Sequence, residues 1–201
     1  MLLAHGTIKV MRVISGTAKA RKLKPVPGDT TRPITDRVKE ALFDIISDNV
    51  VEARFLDLFA GTGGVGIEAL SRGAHEAVFV ENGRHALDTI RFNLSATHLG
   101  ARGRIVRASV LDFLKGAPQP FDYIYVAPPQ YEELWIATLK LLDARPAWLS
   151  GDGEIVVQIH PREYRPLDLQ HFEPIDERRY GSTLLIFYAH LDTDTCAAVL
   201  P

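Results

Sequence analysis

The 201-residue chain lacks most of what marks secreted, metal-clustered or membrane-spanning proteins. It has one cysteine, Cys196, so no internal disulfide can form and no thiolate cluster can hold a metal. His75, His85, His98, His160 and His171 show no metal-ligand spacing, and no metal is expected. No apolar run approaches the roughly 18–20 residues that cross a bilayer, because Arg, Asp or Gly interrupts every candidate. Met1 to Val10 has no small-residue cleavage pattern and reads as an optional extension ahead of Met11. What is present is ordinary globular material. Apolar residues make up 46% and charged residues 24%, which excludes disorder and fibrous structure. The expectation is a monomeric cytoplasmic protein with no membrane attachment.

A strong overall charge is also missing, but the net value of −2 conceals a division. Residues 1–40 carry nine bases against three acids, and the remainder carries 14 bases against 22 acids. A basic arm on an acidic body keeps attraction for a polyanion local. A solvated surface hairpin would look the same, so contact with phosphates depends on what the body does. The expected division is a basic arm and helix over 1–50, a catalytic-type body over 51–190, and a fraying tail over 191–201.

Val38, Ala41, Leu42, Ile45 and Ile46 have the spacing of an amphipathic helix, with Thr35 or Asp36 as N-cap. From residue 54, short apolar runs alternate with helical patterns. Strands are expected at Arg54–Phe59, Ala77–Val80, Arg104–Arg107, Phe121–Val126 and Glu154–Ile159. Helices are expected at Gly64–Ser71, His85–His98, Val110–Lys115 and Glu132–Asp143. Such alternation predicts an α/β fold with a parallel sheet. His171–Arg179 and Thr183–His190, joined by Tyr180-Gly181-Ser182, predict an antiparallel hairpin at one edge, for seven strands in all.

The most informative stretch is Phe55-Leu-Asp-Leu-Phe-Ala-Gly-Thr-Gly-Gly-Val-Gly66, a strand running through a glycine-rich turn into a helix. Gly61, Gly63 and Gly66 fit G-x-G-x-x-G, a weak signal alone. Charge separates the candidate ligands. A dinucleotide would place its pyrophosphate over this turn, where the Asp57 carboxylate at the strand end would repel it. S-adenosylmethionine carries a sulfonium and an ammonium and no phosphate, so Asp57 favours it. Glu81, after the second strand, suits the ribose hydroxyls of either ligand. Asn93 reads as a polar helix-face residue, Trp135 as core or groove wall, and Asp112 as a first-turn acid.

Asp57-Leu-Phe-Ala-Gly-Thr-Gly63 resembles motif I of class I S-adenosylmethionine-dependent methyltransferases, and the longer pattern resembles the RsmD family. That pattern comprises Arg12-Val-Ile-Ser-Gly16, Arg32-Pro-Ile-Thr-Asp-Arg-Val-Lys-Glu-Ala-Leu-Phe43, Glu68-Ala-Leu-Ser-Arg-Gly73 and Tyr180-Gly-Ser-Thr183. It implies a Rossmann-like class I methyltransferase fold and methyl transfer to guanine N2 of small-subunit rRNA. It also implies that Asp57, Phe59, Ala60, Gly61, Thr62 and Gly63 border the cofactor and that Glu81 and Asn82 meet its ribose. Ser109 and Val110 would flank the adenine. Arg12, Arg21, Lys22, Arg32 and Arg37 would contact rRNA phosphates, on naked rRNA or on an assembling subunit.

One motif departs from the family. Its fourth strand ends in Asp- or Asn-Pro-Pro-Tyr/Phe, whereas this one ends in Ala127-Pro128-Pro129-Gln130-Tyr131. An exocyclic guanine amine is a poor nucleophile, and the Asp/Asn oxygen with the first proline carbonyl accepts its protons and aligns it. Ala127 supplies no such oxygen. The Pro128 carbonyl remains, Gln130 offers another oxygen, and Tyr131 offers a stacking ring one position late. A second departure is Ser109, where many members of the family place Asp. Two functions therefore stand: an active rRNA methyltransferase, or a ribosome assembly factor that binds cofactor and RNA without turnover. A small-molecule or protein methyltransferase would leave the basic arm without a role.

Overall fold

The computed structural model describes residues 11–28 and 34–191. Met1–Val10, Arg32 and most of the tail lie outside the described residues. The chain runs α1 (Asp36–Ile46), β1 (Arg54–Leu58), α2 (Gly64–Arg72), β2 (Glu76–Glu81), α3 (Arg84–Thr97), β3 (Gly103–Arg107) and α4 (Val110–Leu114). It continues as β4 (Phe121–Val126), α5 (Leu134–Asp143), β5 (Leu149–Ile159), β6 (Phe172–Tyr180) and β7 (Thr183–His190). The seven strands form one sheet in the order β3-β2-β1-β4-β5-β7-β6. β1 to β5 are parallel, and β7 is antiparallel to both β5 and β6.

Strands covered by helices on both faces must be apolar on both faces, and β1, β2 and β4 are buried along nearly their whole length. One buried cluster lies on each side of the sheet. The first joins Leu42, Phe43, Phe55, Ile67, Leu70 and Phe79. The second joins Leu56, Val78, Ile124, Trp135, Leu139 and Trp148. Trp135 is thus core, at 1% exposed. The strand order reverses direction between β1 and β4, and a crevice opens beyond their carboxyl ends, where ligands bind in open α/β sheets.

Several boundaries differ from the sequence pattern. β5 begins at Leu149, five residues earlier than expected, with a register shift against β4 between Phe121 and Tyr123. Gly153 permits the irregularity: a Cβ there would lie 2.9 Å from the Asp122 carbonyl oxygen. α5 begins at Leu134 because Glu133, its N-cap, takes a left-handed conformation with φ 54°. α1 matches its expected cap, with Thr35 Oγ1 accepting from the Val38 amide.

Residues 11–23 form a short hairpin, with Val13 N–H donating to Arg21 O and Leu23 N–H to Met11 O. Val13, Ala18 and Leu23 bury into the first cluster with α1 and α2. The hairpin is fastened to α2 by polar contacts. The Glu68 carboxylate accepts the amides of Ile14 and Ser15 at 2.8 and 2.9 Å, and Ser71 Oγ accepts the Ala18 amide at 2.9 Å. Glu68 is wholly buried and also pairs with Lys39 at 3.3 Å and Arg72 at 3.0 Å. Gly16 is required by this contact, since a Cβ would fall 1.8 Å from Ser71 O.

Candidate active site

An open cavity of about 810 Å³ lies in the crevice. Its floor and near wall come from Asp57 at the end of β1 and the turn Phe59, Ala60, Gly61 and Thr62 that follows. Glu81 and Asn82 at the end of β2 and Ala127, Pro128, Pro129 and Gln130 after β4 complete the opposite sides. The structure therefore gathers most of the expected cofactor residues and the departed motif around one space. Gly63 is just outside the lining, buried as the left-handed N-cap of α2 with φ 73°.

The glycine turn is shaped by two carboxylates. Asp57, 2% exposed, accepts the Gly66 amide on Oδ2 at 3.0 Å. Burial pushes its carboxyl up from the ordinary 3.8 to about 8, with the Gly66 bond opposing and the Glu81 charge adding to the rise. Glu81 Oε2 accepts the Gly61 amide at 2.9 Å, while Oε1 accepts the amides of Asn82 and Gly83, both at 2.8 Å. Two amides that a diphosphate would need are thus already committed to acids. The donor set fits S-adenosylmethionine, a cation bearing a ribose diol, and opposes a phosphate-bearing coenzyme.

Gly66 is needed for close packing. A Cβ on it would approach Phe79 Cε1 to 2.4 Å and Asp57 Oδ2 to 3.2 Å. The third glycine of the pattern thus lets α2 settle against β2 and keeps the Asp57 contact short.

Ser109 and Val110 are not among the cavity lining residues. Ser109 caps α4, accepting the Asp112 amide at 3.1 Å and donating its hydroxyl to Asp112 Oδ2 at 2.8 Å. Val110 is buried in the second cluster. Both sit just past β3, beside the β2 end, where the Ala108 amide bonds Glu81 O. Asp112 places a carboxylate against Ser109, and its pKa is lowered first by that hydroxyl and then by Lys115.

Tyr131 lies beyond the cavity lining. It is 66% exposed with φ 65°, and its ring centroid is 5.9 Å from that of His160. Its amide donates to Glu163 Oε2 at 2.7 Å, and Glu163 Oε1 accepts the His160 amide. The turn after β5 thereby braces the motif after β4. Gln130, by contrast, lines the cavity.

The expected arm cations are distributed unevenly. Arg12 pairs with Asp36 at 3.1 Å, and Arg21 Nη1 donates to Ala96 O at 2.8 Å. Lys22 and Arg37 are exposed, and Arg32 lies outside the described residues. Lys39, counted among the bases of the arm, is buried against Glu68 and faces no solvent polyanion.

Several lining residues carried no sequence signal. Tyr125 donates its hydroxyl to Gln158 Oε1 at 2.6 Å, and both line the cavity. Burial first, and the Asp57 charge second, hold the Tyr125 pKa well above its usual value. Arg84 and His85 open α3 at the rim, and Val26, Pro27 and Gly28 of the arm form another wall. Asn93 is no surface residue: it is fully buried, with Oδ1 accepting Lys24 N–H at 2.7 Å and Nδ2 donating to Thr62 O at 2.9 Å. It therefore ties the arm to the glycine turn. Thr183, quoted in the sequence pattern without a role, also lines the space.

Residues 11–189 match the profile of the family described as conserved hypothetical protein 95. The chain belongs to this family. Among relatives of the family, YlbH of Bacillus subtilis (strain 168) is 42% identical over 182 residues, spanning 89% of this chain and 98% of that protein. Ribosomal RNA small subunit methyltransferase D of Escherichia coli (strain K12) is 37% identical over 155 residues, 77% of each chain. The solved structure of yhhF from Escherichia coli superposes with a TM-score of 0.80 at 32% identity, covering 90% of this chain and 98% of that one. The family assignment agrees with the RsmD resemblance of the sequence, and the observed sheet is the one that resemblance implies.

Proposed function

We infer that the protein is an S-adenosylmethionine-dependent methyltransferase of small-subunit rRNA, acting on the exocyclic N2 of a guanine. The observation that carries the reading is the cavity at the β1/β4 reversal, where Asp57 and Glu81 occupy the amides an anion would need. Family membership supplies the reaction class, and the exposed arm cations suit an RNA substrate.

S-adenosylmethionine supplies an electrophilic methyl group on a sulfonium. The chain's own residues do the rest. Asp57 offers negative charge to the cationic end, and Gly61 and Thr62 shape the turn around it. Glu81 accepts ribose hydroxyls on the lone pairs its three backbone donors leave free. Ser109 and Val110, just past β3 beside the end of β2, would approach the adenine from outside the cavity lining. The Pro128 carbonyl and the Gln130 amide oxygen accept the amine protons of the flipped guanine and hold its nitrogen toward the methyl group. The double proline keeps that turn rigid by fixing φ.

Arg12, Arg21, Lys22 and Arg37 orient the RNA through its phosphates. The substrate proposed is the assembling small subunit in the cytoplasm, bound by one copy of the chain. No helix among the described residues is long and apolar enough to cross a membrane.

The test is transfer of labelled methyl onto unmodified small subunits, followed by nucleoside analysis. N2-methylguanosine is the expected product. Cofactor binding with no incorporation would favour the assembly-factor reading, which Ala127 motivates.

A further inference from the structure

We propose that the exposed ring of Phe92 is a stacking platform for an unpaired base of the substrate RNA, with Lys24, over the opposite face of the ring, meeting the adjoining phosphate. The inference rests on the RNA reading above and adds a surface to it.

α3 buries one stripe, formed by Ala86, Leu87, Thr89, Ile90, Asn93, Leu94 and Thr97. Phe92 points away from that stripe and is 53% exposed. Packing gives no reason for a large aromatic ring there. Its surroundings do: Lys24 Nζ lies over one face of the ring, 5.2 Å from its centroid, and Arg21 reaches the same helix through Ala96 O. Asp88, one helical turn before it on α3, is already held by Arg91 at 2.8 Å. An exposed aromatic ring with a cation over one face combines the two groups that bind single-stranded nucleic acid, because every base has a π-face for the open side and every linkage a phosphate for the ammonium.

The platform is also held in place relative to the reaction centre. Asn93, the next residue, grips Lys24 from both sides, accepting its amide at 2.7 Å and donating to its carbonyl at 3.1 Å. The same side chain bonds Thr62 O in the glycine turn. Two residues past Lys24, the arm enters the cavity wall at Val26 and continues along it to Gly28. Four residues of chain span at most about 14 Å, so a strand leaving the cavity along the arm soon meets Phe92.

The experiment compares wild type with F92A, F92W and K24A, using naked unmodified small-subunit rRNA and, separately, assembled small subunits, across a range of salt. F92A is expected to weaken naked-RNA binding about tenfold with an unchanged salt slope, while F92W retains affinity. K24A is expected to lower the slope of log K against log salt by about 0.7, the value for one phosphate contact on a single strand. S-adenosylmethionine affinity of F92A, read by calorimetry, should equal that of wild type. Equal naked-RNA affinity of F92A and wild type overturns the proposal. So does a loss confined to assembled subunits, which would assign the ring to a ribosomal protein. Failure of wild type to retain any RNA would instead overturn the functional reading on which the proposal stands.

Discussion

The Asp57 carboxylate accepts the Gly66 amide at 3.0 Å inside the sheet crevice, and burial holds its pKa near 8. A cationic ligand favours the ionised form, so its binding must expel the proton that the free protein carries below that value. Affinity for S-adenosylmethionine should therefore climb between pH 6 and 8, by up to about tenfold per unit, and level off above. Calorimetry at pH 7 in buffers of unlike ionisation enthalpy should register release of close to one proton. D57N should bind weakly with no such dependence.

The same group governs stability with the opposite sense. Its folded pKa of about 8 exceeds the ordinary 3.8, so the folded chain binds more protons than the unfolded chain between those values. Stability then falls as pH rises through that window and is constant above it. Urea denaturation of D57N should lack this fall, leaving the variant more stable than wild type at pH 8 while impaired in cofactor binding.

Substituting Gly66 tests the packing that sets the turn. In G66A the new methyl would meet Phe79 Cε1 at 2.4 Å, in a core where Phe79 is fully buried. A loss of about 1–3 kcal/mol is expected. F79L in the same chain should recover part of it, as chemical denaturation would show.

Glu68 secures the arm through two amides and the Lys39 ammonium, and Arg72 of its own helix holds it in place. E68Q leaves the buried Lys39 charge without its counterion and should cost about 3–5 kcal/mol. Residues 11–28 should become sensitive to limited proteolysis. K39M added to E68Q should restore part of the stability, because the orphaned charge is then gone.

The Ala127 position bears on turnover. A127D restores the oxygen that the family pattern places beside Pro128 and should raise methyl transfer by up to about 10²–10³-fold if the rest of the site is aligned. Single-turnover rates on unmodified subunits measure it. An unchanged rate would show that Gln130 already fills that role.

Much of this site could be read from the chain because it depends on local patterns. Asp57 and the glycines lie in one strand-turn-helix run, and Glu81 ends the next strand, so spacing alone brings them together. The alternating apolar runs likewise gave the sheet, and Tyr180-Gly-Ser182 its hairpin. Contacts over long separations left no such mark. Asn93 looks like any polar helix residue until Lys24 and Thr62 close around it, 69 and 31 residues away in sequence. Glu68 falls within a run expected to be helical and Lys39 among the arm bases, yet both are buried together. Tyr125 and Gln158 reach the cavity only because β4 and β5 pair in register. The early start of β5 and the offset of Tyr131 reflect left-handed or irregular backbone, which tertiary contacts rather than propensity decide.

The central claim is that this crevice selects a positively charged methyl donor over a phosphate-bearing coenzyme. Titrating the protein at pH 8 with S-adenosylmethionine and, separately, with NAD measures that choice directly. The account predicts saturable one-site heat from S-adenosylmethionine, none from NAD, and loss of the signal in D57A. Tight NAD binding that competes with S-adenosylmethionine, or D57A binding as well as wild type, would contradict it.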